Sequence, residues 1–213
     1  MHFFGQNRIN TAERNIFATM NIKKALARLV LKIYGWKFID NKPKNLKKYV
    51  LIAAPHTSNF DFTLAIASLW IGDIKGNYLI KKEHFWWPMS IFMNYTGGIA
   101  VDRENLKHNF TKTLINLMKD TEETTLLFTP EGTRSRVEKW KTGFHRVAKA
   151  CAYPVVPAYA DYAKKEIGFG EPFYPSDHVE EDLKMLEEFY SDKTARYPEK
   201  FNPRFFVRNG KSK

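Results

Sequence analysis

His56 and Asp61 stand in the stretch Ala54-Pro55-His56-Thr57-Ser58-Asn59-Phe60-Asp61, between the apolar runs Tyr49–Ala53 and Phe62–Ile71. An imidazole backed by a carboxylate can act as a general base. The carboxylate accepts from one ring nitrogen, fixes the tautomer and stabilises the imidazolium, and the other nitrogen takes a proton. Five residues along an α-helix turn through about 500°, which leaves the two side chains roughly 140° apart. The pair therefore works only with His56 in a turn and Asp61 in the first turn of the following helix, capped by Thr57, Ser58 or Asn59. The same residues would also serve as a helix N-cap cluster beside a surface histidine.

A second reactive stretch is Phe128-Thr129-Pro130-Glu131-Gly132-Thr133-Arg134-Ser135. Pro130 stiffens the exit from a strand and Gly132 permits a tight bend. Glu131 accepts hydrogen bonds, and Arg134 offers a planar fork suited to phosphate. A charged turn closed by a Glu–Arg pair is the plainer account. The chain has no Gly-x4-Gly-Lys phosphate loop, no Gly-x-Gly-x-x-Gly, no Gly-x-Ser-x-Gly elbow and no zinc-ligand spacing. A histidine base without a protein nucleophile points to attack by a hydroxyl of the substrate itself.

The elements that must position these residues follow from hydrophobic pattern. Strands are expected at Tyr49–Ala53, Asn77–Ile80, Gly98–Val101, Thr124–Phe128 and Pro154–Tyr159. Helices are expected at 21–34, Phe60–Ile71, Pro88–Tyr95, Leu106–Lys119, Phe144–Ala152 and 178–197. Alternating strands and helices predict an α/β fold with a largely parallel or mixed central sheet flanked by helices. Four of the strands are followed by polar or charged groups: His56 and Asp61, Lys81 and Lys82, Asp102 and Arg103, then Glu131, Thr133 and Arg134. In a parallel sheet those C-terminal ends share one edge, where open α/β folds build their sites.

With 213 residues and 44% apolar content the chain can bury a substantial core. The single Cys151 excludes an intramolecular disulfide and fits a reducing compartment. The net charge is +11. Residues 1–50 carry eleven Lys and Arg against Glu13 and Asp40, and so hold +9 of it. Such a block seeks an anionic partner. Within it, residues 21–34 place Ile22, Ala25, Leu26, Leu29, Val30 and Ile33 at helical spacing, with Lys23, Lys24, Arg28 and Lys32 opposite. This basic amphipathic helix suits an anionic membrane surface better than nucleic acid, or else packs on the core. Phe85, Trp86, Trp87, Phe92 and Tyr95 have three readings: acyl tunnel, membrane interface or core. Neither a secretory signal nor a clean membrane span is read. The organisation expected is a membrane-associating segment, 1–46, followed by a catalytic domain, 47–213.

The blocks together resemble the glycerolipid acyltransferase family, which includes the bacterial 1-acylglycerol-3-phosphate acyltransferases. That family carries an HxxxxD block, a Gly-x4-Arg block, a [FV]PEGTRS block and a VP[VI]xP block, in that order. This chain offers His56 to Asp61, Gly98-Ile-Ala-Val-Asp-Arg103, Thr129-Pro-Glu-Gly-Thr-Arg-Ser135 and Tyr153-Pro-Val-Val-Pro157 across residues 47–160. Thr129 stands where an apolar residue is more usual. The resemblance implies that His56 is the general base and Asp61 its orienting partner. The acceptor hydroxyl would attack the thioester of acyl-CoA or acyl carrier protein directly, with no acyl-enzyme. Arg103, helped by Lys82, would hold the acceptor phosphate, while Glu131, Gly132, Thr133 and Arg134 would position the acceptor. It also implies a lysolipid acceptor, an anionic membrane surface at the cytoplasmic face of the inner membrane as partner, and neither bound cofactor nor metal. Another lyso-acceptor, or a non-catalytic basic membrane-binding protein, is the alternative.

Overall fold

The computed structural model describes residues 11–41, 45–101, 110–119 and 121–206. Helix α1 runs from Thr11 to Tyr34, longer at its start than the 21–34 expected. It ends where Gly35, at φ +71°, turns left-handed. The Gly35 N–H then donates to Lys32 O and the Trp36 N–H to Leu31 O, the paired bonds of a Schellman cap. The chain continues through β1 (Lys37–Phe38), β2 (Lys48–Ala54), α2 (Phe60–Ile71) and β3 (Gly76–Lys81). A 3₁₀ turn, Lys82–His84, leads to α3 (Met89–Tyr95), β4 (Gly98–Val101), α4 (Phe110–Lys119) and β5 (Thr124–Phe128). After them come α5 (Gly143–Cys151), β6 (Val155–Asp161), β7 (Glu166–Phe169) and α6 (Val179–Tyr190).

The seven strands form one mixed sheet in the order β1-β7-β6-β2-β5-β3-β4. Every pairing is parallel except β6 with β7, which pack antiparallel across a tight turn. The strands β2, β3, β4 and β5 are thus mutually parallel, as the clustering of polar residues at their C-terminal ends requires. Pro157 lies inside β6, between the Ala158↔Phe169 pair and the isolated Val155↔Phe173 bridge. Its missing N–H falls there, where the neighbouring chain leaves the ladder.

Side chains alternate along β2 and sort the helices onto two faces. Val50, Ile52 and Ala54 join Leu114 and Met118 of α4, Phe144 and Val147 of α5, and Leu186 and Tyr190 of α6. Tyr49 and Leu51 point the other way, onto Ile66 and Leu69 of α2 and Met93 of α3. The crossovers running one way along the sheet use α2 and α3; those running back use α4 and α5. Opposite faces are what a uniform crossover hand demands. Each of Ile52 and Leu126, with no measurable exposure, contributes roughly 2 kcal/mol by burial.

Helix α1 lies on α2 with Ala27 and Leu31 buried against Leu64 and Ala67. This corrects the expected division of its faces. Lys23 and Lys24 turn toward the protein, Lys23 over the Tyr95 ring at 4.0 Å and Lys24 paired with Asp73. Ile22, Leu26, Leu29 and Ile33 point outward, with Ile22 and Ile33 68% and 69% exposed. Two further differences concern short or polar segments. β1 and β7 are not expected from the pattern, and α6 stops at Tyr190 rather than 197, where Ser191 turns its hydroxyl back to Glu188 O.

Candidate active site

β2 ends at Ala54, and a cis Ala54–Pro55 peptide leads to His56. The next residues form a reciprocal cap on α2. Ser58 Oγ accepts the Asp61 N–H at 3.3 Å, and Asp61 Oδ2 accepts the Ser58 N–H at 2.8 Å. This is the logic of a capping box, with Ser58 in the capping role one residue before Asn59, whose own side chain makes no cap. Asp61 Oδ2 also takes the Thr57 N–H at 2.7 Å and faces His56 Nδ1 at 3.4 Å. Its other oxygen, Oδ1, accepts the Ser58 hydroxyl at 2.8 Å and the Tyr162 hydroxyl at 2.5 Å. Burial of Asp61 works against its charge. The hydrogen bonds from His56, Tyr162 and Ser58 outweigh that cost and hold the carboxyl below its ordinary range.

The second stretch comes alongside because β5 is the neighbour of β2. Its turn closes with the Gly132 N–H donating to Thr129 O at 2.9 Å, and Gly132 adopts φ +67°. That bend directs Glu131 inward, where it is 5% exposed. Glu131 Oε1 accepts the backbone N–H of His56 at 2.9 Å, while Oε2 has no hydrogen-bond partner among the described residues. Desolvation raises the Glu131 carboxyl to about 7 despite the His56 N–H. The resemblance assigns Glu131 to the acceptor; in the structure its bonded oxygen holds the loop that carries His56.

His56 is therefore in direct contact with both Asp61 and Glu131. Thr133 and Arg134 are exposed on the same turn. Lys82 is exposed at the end of β3, two strands from β2, a lateral distance of roughly 10 Å. Arg103 lies outside the described residues. An open cavity of about 420 Å³ borders the turn through Lys141 and is lined also by Trp140, Thr142, Gly143 and Arg146, but by none of His56, Asp61 or Glu131. Among the described residues no cluster of His, Cys, Asp and Glu could hold a metal ion.

Sequence reasoning missed Tyr162. It follows Asp161, the last residue of β6, and so obeys the same strand-end rule that singled out the other four clusters. β6 also lies next to β2, which brings the phenol to the back of Asp61.

A histidine–carboxylate pair at the C-terminal ends of neighbouring parallel strands fits a group-transfer enzyme. The chain belongs to the acyltransferase family, whose model matches residues 32–161. It is similar in fold to the 1-acyl-sn-glycerophosphate acyltransferase PlsC of Thermotoga maritima. The two share 18% identity at a TM-score of 0.61, over 89% of this chain and 86% of that one. No curated protein matches the chain significantly by sequence.

Proposed function

We propose that the chain moves a fatty acyl group from an acyl-CoA or acyl-carrier-protein thioester to the free hydroxyl of a lysolipid. The acceptor is 1-acylglycerol-3-phosphate and the product phosphatidic acid. The observation that carries this reading is the His56–Asp61 pair. Asp61 faces Nδ1, and Nε2 of a partly exposed imidazole is left for substrate. Nε2 removes the hydroxyl proton as the oxygen attacks the thioester carbonyl. A C–O bond forms, the C–S bond breaks, and the imidazolium returns its proton to the departing thiolate. Arg103 and Lys82 would bind the acceptor phosphate, and Arg134 and Thr133 would line its approach. The family and the likeness to a lysophosphatidic acid acyltransferase support this acceptor.

A membrane surface is the second part of the proposal. Among the described residues no helix is long and apolar enough to cross a bilayer. The outward stripe of α1, flanked by Arg28 and Lys32, and the exposed Trp86, Trp87, Ile91 and Tyr95 suit burial at the headgroup boundary. The enzyme would sit on the cytoplasmic face of the inner membrane as a peripheral or monotopic protein, beside its lipid acceptor.

The test is acyl transfer from labelled acyl-CoA and acyl carrier protein to a panel of lysolipids. Transfer is expected to be fastest with lysophosphatidic acid and abolished in a folded His56→Ala variant. Arg103→Ala should raise KM for phosphorylated acceptors selectively. Transfer that survives His56→Ala overturns the mechanism, and preference for an acceptor without a phosphomonoester overturns the acceptor.

A further inference from the structure

The donors around Asp61 have unequal origins. Thr57 N–H, Ser58 N–H and the Ser58 hydroxyl all belong to the loop that carries His56. If that loop shifts, they shift with it. Tyr162 is the donor to Asp61 that comes from another element, the end of β6. It is firmly held. Its N–H donates to Thr194 O at 2.9 Å, and its ring meets Trp36 edge-to-face at 4.8 Å. The turn it begins is closed by Asp161 Oδ1, which accepts the N–H groups of Ala163 and Lys164 at 3.1 and 3.3 Å.

We propose that Tyr162 is a positioning residue for acyl transfer. Its hydroxyl pins the Asp61 carboxylate against the rigid end of β6 and draws off part of its negative charge, which sets how strongly His56 is held and how readily it takes a proton. The proposal rests on the reading of His56 as the base. The two oxygens of Asp61 serve different ends. Oδ2 faces the imidazole and caps the helix, and Oδ1 is tied to β6. A carboxylate only accepts, so the phenol must donate. Desolvation, then the bond to Asp61, push the Tyr162 hydroxyl well above its ordinary range, so it remains a donor across the working pH. The other titratable groups around the pair are Glu131, in contact with the His56 main chain, and Arg196, whose charge acts on Tyr162 and whose guanidinium lies 5.3 Å from the Phe60 ring.

Tyr162→Phe keeps the ring against Trp36 and removes only the donor. A carboxylate relieved of one donor holds a neighbouring imidazolium more strongly. The acidic limb of the pH–rate profile should therefore move to higher pH. kcat should fall about tenfold, a fraction of the ~10²–10⁴ that a positioned base supplies, with KM for the acceptor little changed. Long-range ¹H–¹⁵N correlation of the imidazole gives a second readout that needs no substrate. The wild type should hold its neutral proton on Nδ1 of His56, which faces Asp61, and in the variant that Nδ1–H resonance should move downfield as its bond to the freed carboxylate strengthens. An unmoved Nδ1–H resonance together with an unmoved pH limb overturns the role of Tyr162, as does a kcat loss that only follows the folded fraction. His56→Ala, assayed in parallel, isolates the premise: if it stays active the base assignment fails, whatever Tyr162→Phe does.

Discussion

Glu131 Oε1 accepts the main-chain N–H of His56 at 2.9 Å, so the turn after β5 grips this histidine by its backbone and leaves the imidazole to Asp61. His56 is thus located by one carboxylate and oriented by another. The two differ in charge state, because burial drives Glu131 toward the neutral acid while donors keep Asp61 ionised.

Glu131 makes stability depend on pH in a defined window. Its carboxyl is raised from 4.5 to about 7 in the folded chain. Its contribution is fully present below pH 4.5 and lost as pH rises through 7, a fall of roughly 3 kcal/mol. Glu131→Gln keeps an acceptor for His56 and cannot ionise. Denaturant midpoints measured from pH 4.5 to 8 should fall less steeply with pH in this variant than in the wild type. Glu131→Ala should instead free the His56 loop and lower kcat.

Asp61 has the opposite sign. Its folded value lies below 3.8, so its contribution is present above that pH and lost as pH falls through the folded value. Asp61→Asn should flatten the loss of stability below pH 4. It should also lower kcat by about 10²-fold or more, since the imidazolium loses its counter-charge. Acid titration followed by circular dichroism, with turnover assays, checks both.

Gly132 is left-handed, and a Cβ there would come within 2.7 Å of Lys141 Nζ. The lysine end can swing away, so the backbone conformation sets the cost of Gly132→Ala, about 1–2 kcal/mol. A drop in Tm of about 2–8 °C in a thermal melt is the expected outcome for a chain of this size.

The outward stripe of α1 can be tested apart from catalysis. Leu26→Glu, Leu29→Glu and Ile33→Glu combined should abolish sedimentation with anionic phospholipid vesicles. Because these side chains are exposed, Tm should move little. Undiminished sedimentation would remove α1 from the membrane reading.

The elements legible in the sequence are those with sustained apolar runs. α2, β4 and β5 fall on the expected residues, since their runs are bounded by turn-forming neighbours. β1 and β7, two and four residues long, offer too little pattern to register. The faces of α1 are not legible in its pattern, because Lys23 and Lys24 look like solvent residues, yet one lies on an aromatic ring and the other meets Asp73. For the site, spacing predicts the His56–Asp61 arrangement that the structure shows. It identifies Glu131 as a carboxylate but not as one that reaches a main-chain N–H 75 residues away. Tyr162 carries no local motif, and only the sheet order brings it to Asp61.

The order β6-β2-β5 in the sheet also has a temporal meaning. The strand that leads to His56 is made early, but both of its neighbours come from roughly 70 to 110 residues further along the chain, the kind of distant pairing that slows folding. A growing chain can form α2 and its Ser58–Asp61 cap locally, while both edges of β2 stay open until β5 and β6 arrive. Bare edges of that kind are surfaces for other chains to meet. Glu131 and Tyr162 consequently reach His56 and Asp61 only when nearly the whole domain has closed, so a nascent or truncated chain has the histidine and its aspartate without the groups that hold them.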